Sequence, residues 1–81
     1  MYRQDIFEIL TEIFRDVFDD ENLELKDSTS AYDIEDWDSL AQITLIGAIE
    51  KTFGIRLNMK DVMKLQNVGE MVDLIEKSIG L

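Results

Sequence analysis

Side chains able to do covalent or proton chemistry are scarce in this chain. It has no Cys and no His, which removes thiolates, disulfides, the commonest metal ligand and the group most used for proton transfer near neutral pH. What remains is one short run, Asp36-Trp37-Asp38-Ser39-Leu40, in which a hydroxyl follows a carboxylate just where an acidic, irregular stretch gives way to the most apolar segment. A Ser at a helix start lies beside unpaired backbone N–H groups and the positive end of the helix dipole. A phosphodiester on the Ser39 oxygen would be stabilised there. The same spacing has a structural reading, with Ser39 as N-cap and Gln42 three residues later completing an S-x-x-Q capping box. The two readings overlap, because one Ser can be both cap and attachment point. An enzyme in its own right is not expected from this inventory.

The carboxylates around Ser39 suggest a second chemistry, calcium binding through Asp33, Glu35, Asp36 and Asp38. An EF-hand loop needs oxygen ligands at alternate positions and Gly at the sixth. Counting from Asp33 puts Trp37 fifth and Asp38 sixth, and counting from Asp36 puts Leu40 fifth. Neither frame works, so no metal site is expected.

These residues need elements to hold them. Ile6, Leu10, Ile13 and Val17, with Phe7, Phe14 and Phe18 beside them, recur at three- and four-residue spacing between charged positions, which predicts an amphipathic first helix over about 3–18. From Asp19 to Asp38 the period fails and nine carboxylates gather, giving a long loop. A loop of that length is pinned by its own side chains or carries function; Leu23, Leu25, Tyr32, Ile34 and Trp37 are the candidates for pinning. The helical period returns over about 39–53, with Leu40, Ile43, Ile46 or Gly47, and Phe53 available for a buried stripe. Gly54 stands at the typical stop. Ile55-Arg56-Leu57 reads as extended, and the next segment as a short helix with Val62 and Leu65 inward. A last helix opens at Asn67-Val68-Gly69-Glu70, which resembles a capping box. Its buried face is Met71, Val72, Leu74, Ile75 and Ile79. The expected fold is all-α, a small bundle of three main helices plus one short helix, with a long loop between the first two.

With 81 residues, 46% of them hydrophobic, four Gly and no Pro, the chain has room for one core, and residues 1–81 are read as a single domain. No apolar run reaches membrane-spanning length, and the N-terminus lacks the uninterrupted apolar block of a signal peptide. No membrane insertion and a cytoplasmic location are therefore expected. The formal charge is −10, and residues 1–40, with 13 acidic and three basic side chains, carry all of it. Such a field repels nucleic acid and attracts basic protein surfaces, although acid also serves solubility alone.

Taken in order and spacing together, these features resemble the acyl carrier protein family over about Asp5 to Ile79. They are the amphipathic first helix, the long loop, Asp38-Ser39-Leu40 opening the second helix, Glu50-Lys51-Thr52-Phe53-Gly54 closing it, Ile55-Arg56-Leu57, a short third helix, and Asn67-Val68-Gly69-Glu70. The resemblance implies that Ser39, flanked by Asp38 and Leu40, receives 4′-phosphopantetheine from coenzyme A through a Mg²⁺-dependent phosphopantetheinyl transferase. It further implies that the arm's thiol carries acyl or aminoacyl groups as thioesters. The implied partners are that transferase, an acyl- or aminoacyl-loading ligase, and an acyltransferase or synthase. A carrier that visits several partners is expected to be monomeric.

The chain departs from the fatty-acid members of that family. Ala41 and Thr44 stand where they usually place acids on the second helix, and Lys60 and Lys64 flank Asp61 in the third. A dedicated pathway, with docking through Leu40, Met59, Met63 and the loop acids Glu35, Asp36 and Asp38, is the expectation. Met59 and Met63 read equally as gap-filling core residues or as an adaptable contact patch. Gly47, where a bulky apolar residue is usual, is read as close helix packing, with a reshaped cleft as the other cause. Trp37 is expected to pack under the loop. The alternative function is an unmodified carrier-like adaptor that only binds a partner enzyme.

Overall fold

Apolar residues one helical turn apart set the first element of the computed structural model, which describes residues 2–80. Helix α1 (Arg3–Val17) buries Ile6, Leu10, Ile13 and Phe14 on one side, and its start is closed by the Asp5 carboxylate accepting from the Tyr2 N–H at 3.0 Å. Helix α2 (Ser39–Phe53) ends at Gly54, whose φ of 66° lies in the left-handed region that glycine adopts without strain. Helix α3 (Met59–Met63) is a single short turn, and α4 (Val68–Ile79) completes the order. The described residues form no strand, as the all-α reading expects, and α1 packs against both α2 and α4. Fourteen buried apolar residues from all four helices, the long loop and the α2–α3 connection make one core. No polar or charged side chain among the described residues is buried in it.

The long loop, residues 18–38, is tied down more by its backbone than by its apolar side chains. Its carbonyls at Thr29 and Asp27 accept from the Val68 and Gly69 N–H groups at 2.8 and 2.9 Å, so the loop satisfies donors that the start of α4 would otherwise leave open. Arg15 Nε donates to the Leu23 carbonyl at 2.8 Å. Arg3 reaches Asp73 and Glu76 on α4, the Gly69 carbonyl at 3.3 Å and the loop's Asp27 at 3.6 Å. Hydrogen bonds to Asp73 and Glu76 raise the Arg3 pKa above its ordinary value. Leu25 is buried, and Leu23, Ile34 and Trp37 pack on the core as expected. Tyr32 does not pin the loop; it is fully exposed.

Two further expectations are corrected. Leu40 and Ile43 are 72% and 64% exposed, and Leu45, Ile46 and Ile49 form the buried stripe of α2 instead. The helix is apolar nearly all round, so period alone could not choose its inward face; the position of α1 chooses it. Gly47 is exposed, and a Cβ built on it would meet nothing within 4 Å, so close helix packing is not the reason for this glycine. At the start of α4, Asn67 caps the Glu70 N–H at 2.9 Å, but Glu70 returns to the N–H of Gln66 at 3.1 Å, one residue ahead of the cap.

The two helical glycines should respond in opposite ways to a methyl group. Gly47→Ala removes a mid-helix glycine into open space and is expected to raise unfolding free energy by about 0.5–1 kcal/mol. Gly69→Ala would put Cβ 3.1 Å from the Asp27 carbonyl oxygen, pressing on the bond that seats the loop, and is expected to gain nothing. Urea unfolding of both variants checks the contrast.

Candidate functional site

The site is built where the loop runs into α2. Trp37 N–H donates to the Ile34 carbonyl at 3.1 Å and Asp38 N–H to the Asp36 carbonyl at 3.0 Å, which turns the chain tightly before the helix. Trp37 packs edge-on against the buried Phe14, with centroids 5.1 Å apart and planes at 84°, and lies 6.3 Å from Phe18. The expected packing of Trp37 under the loop is thus what the molecule has. Its indole N–H, which needs an acceptor when half-buried, donates to Gln42 Oε1 at 2.6 Å.

Ser39 is not the cap. Asp38 holds the extended cap conformation, with φ −108° and ψ −171°, and its carboxylate accepts from the Ala41 N–H at 2.8 Å. Gln42 is engaged by Trp37, so the S-x-x-Q box does not form. A carboxylate at the cap position both accepts this bond and faces the positive helix end, which is why Asp38 displaces Ser39 by one place. Ser39 becomes the first helical residue, exposed, and among the described residues its hydroxyl has no hydrogen-bond partner. The backbone N–H groups of Ser39 and Leu40 likewise have no acceptor in the described chain.

Beside Ser39 opens a cleft of about 520 Å³ whose walls include Trp37, Gln42, Ile43, Met59, Val62 and Met63. It lies between the start of α2, α3 and the start of α4. Met59 and Met63 are 55% and 82% exposed, so they are surface residues at this cleft and not gap-fillers in the core. With Leu40 and Ile43 they make an exposed apolar patch around Ser39. Glu35 and Asp36 are exposed on the approaching loop and have no ion-pair partner among the described residues. Asp33 turns to its own loop, accepting from the Ser30 N–H at 2.9 Å. The described residues contain no cluster of acidic side chains arranged to hold a metal ion. Ile43 and the Trp37–Gln42 bond escaped sequence reasoning; the only signal for the bond was a lone Trp with an indole N–H to satisfy.

A free hydroxyl at the first residue of a helix, two open N–H donors and an adjoining apolar cleft fit a covalently tethered, phosphate-linked group better than a metal or a catalytic dyad. The family model for the phosphopantetheine attachment site matches residues 8–75 of the chain. Among solved structures, the chain is similar to the solution NMR structure of a holo acyl carrier protein from Geobacter metallireducens. The two are 42% identical with a TM-score of 0.86, over 91% of this chain and 85% of that one.

The cap assignment has a direct consequence. Asp38→Ala should lower unfolding free energy by about 1 kcal/mol, whereas Asp38→Asn, which keeps the acceptor, should lose only a fraction of that. Chemical denaturation of the two variants side by side measures the difference.

Proposed function

The chain belongs to the phosphopantetheine-attachment family of acyl carrier proteins, and on that premise we propose that Ser39 is the residue to which its 4′-phosphopantetheine arm is joined. Members of this family are carriers and not catalysts. They meet a phosphopantetheinyl transferase and synthase or acyltransferase enzymes. When bound, the arm supplies the thiol that holds an acyl or aminoacyl group as a thioester, so the absence of Cys, His and any buried ionisable side chain among the described residues is consistent with the role. Tethering raises the effective concentration of cargo at each partner.

The observation that carries the Ser39 assignment is its freedom. Asp38 takes over capping and leaves the Ser39 hydroxyl exposed without an internal partner. Asp38 also fixes the first turn, so the open N–H groups of Ser39 and Leu40 stand where a phosphodiester oxygen can accept from them. Trp37 and Ile43 give the adjoining cleft its apolar wall.

A dedicated pathway, distinct from housekeeping fatty-acid synthesis, is supported by the surface of α2. Ala41 and Thr44 supply no charge, and Glu50, the acid left near the end of α2, is occupied by the Leu57 N–H at 2.8 Å. We assign partner docking to Leu40, Met59 and Met63 together with Glu35, Asp36 and Asp38: an apolar centre with acid on the loop side. The proposed working form is a monomeric, single-domain carrier in the cytoplasm, loaded by an acyl- or aminoacyl-specific ligase.

Incubation with coenzyme A, Mg²⁺ and a promiscuous phosphopantetheinyl transferase is expected to add one phosphopantetheine to the intact mass, and Ser39→Ala should add none. An unchanged mass with several transferases would favour the unmodified adaptor instead. The docking face has its own test: Met59→Asp combined with Met63→Asp should slow acyl transfer to the cognate partner at least about tenfold, as loss of a buried apolar anchor typically does, while leaving circular dichroism unchanged. Equal transfer would remove the methionines from the docking face.

A further inference from the structure

Gln42 is a half-buried amide with one end fixed and the other free. An indole nitrogen can only donate, so the 2.6 Å contact with Trp37 Nε1 commits the Gln42 carbonyl oxygen. Trp37 is itself held against Phe14, so the orientation of the Gln42 amide is set from the core outward. Its NH₂ has no hydrogen-bond partner among the described residues. Gln42 also occupies a particular place: with Ile43 and Met59 it lines both the cleft beside Ser39 and a second, smaller cleft bounded by Ile46, Gly47 and Glu50. The two clefts therefore adjoin and form one groove along α2. From Ser39 to Glu50 it spans roughly 16 Å at the helical rise per residue. Its walls are mainly apolar, and the absence of a side chain at Gly47 leaves its far end open.

We propose that Gln42 is a positioning residue for the arm: the Trp37 indole pins its carbonyl, and its free NH₂ donates to an amide carbonyl of phosphopantetheine lying in this groove. This inference rests on Ser39 being the attachment point. Ile43 and Met59 flank the arm's methyl and methylene groups, and Gly47 leaves room for whatever the thiol carries. An apolar residue at position 42 would close the groove equally well but would offer the arm no donor and leave the indole N–H without its acceptor. That double use is what distinguishes Gln42 from a residue that only packs.

Nuclear magnetic resonance of ¹⁵N-labelled protein, carried out before and after modification verified by intact mass, tests this without reference to any partner. In the modified protein the Gln42 side-chain amide protons are expected to shift and to exchange roughly 2- to 10-fold more slowly than in the unmodified form, as one neutral hydrogen bond would produce. Gln42→Glu keeps an acceptor for Trp37 and removes the NH₂. In that variant the Trp37 indole N–H should remain slow to exchange, while a ¹³C-labelled arm relaxes as a freely mobile chain. If the mass increment is present on Ser39 and the Gln42 amide is unchanged, or the arm is equally ordered in Gln42→Glu, the positioning role is overturned and the attachment stands. If the increment is missing, attachment and positioning fall together.

Discussion

The seat of Trp37 is the contact on which the functional end of the molecule depends. An irregular loop must deliver the chain to the start of α2 at a fixed place, and apolar burial alone would fix this poorly, since the loop is mostly polar. Trp37 supplies one large ring that packs edge-on against Phe14, a residue with no exposed surface, and such a pair contributes about 0.5–1.5 kcal/mol beyond its buried area. Its indole N–H then reaches forward five residues to Gln42, so the same side chain joins α1, the loop and the second turn of α2. With those three fixed, Asp38 falls at the cap and Ser39 at the first helical position.

The far side of the loop is fixed by a different device. Carbonyls of Asp27 and Thr29 serve as acceptors for the first N–H groups of α4, so the loop and the helix complete one another's hydrogen bonds. Gly69 permits the approach, with the Asp27 carbonyl oxygen only 3.1 Å from where a Cβ would stand. Arg3 closes the arrangement by drawing Asp27, Asp73 and Glu76 to one guanidinium, offsetting repulsion among acids brought together by folding. These ties explain how a long acidic segment is held in place with few of its side chains buried.

Charge and apolar surface are separated in a way that suits a protein visited by others. The formal charge of −10 comes entirely from the first forty residues, and the loop acids Glu35 and Asp36 stand exposed ahead of Ser39. Behind Ser39 the surface changes character to Leu40, Ile43, Met59 and Met63, all more than half exposed, with Lys60 and Lys64 also exposed on and after α3. Flexible, polarizable methionines fit a surface that must accept more than one shape.

What the sequence by itself determined were the features written in local pattern. Three- and four-residue spacing gave α1 and the inward face of α4, Gly54 marked the end of α2, and Asn67 the start of α4. The missing Cys and His excluded a catalytic centre, and Asp38-Ser39-Leu40 pointed to the residue at issue. Tertiary structure alone decided matters that depend on what lies across from a residue. Helix α2 is apolar nearly all round, so only the placement of α1 could turn Leu45 and Ile49 inward and leave Leu40 and Ile43 outside. Two neighbouring side chains, Asp38 and Ser39, were both competent caps; the turn fixed by Trp37 gave the role to Asp38. Gly47 faces open space because no helix covers that side of α2, and Tyr32 stays exposed because the loop is held by backbone bonds to α4. Periodicity records which residues share a face, but the partner that covers the face, and the acceptor that claims each donor, come from segments distant in sequence.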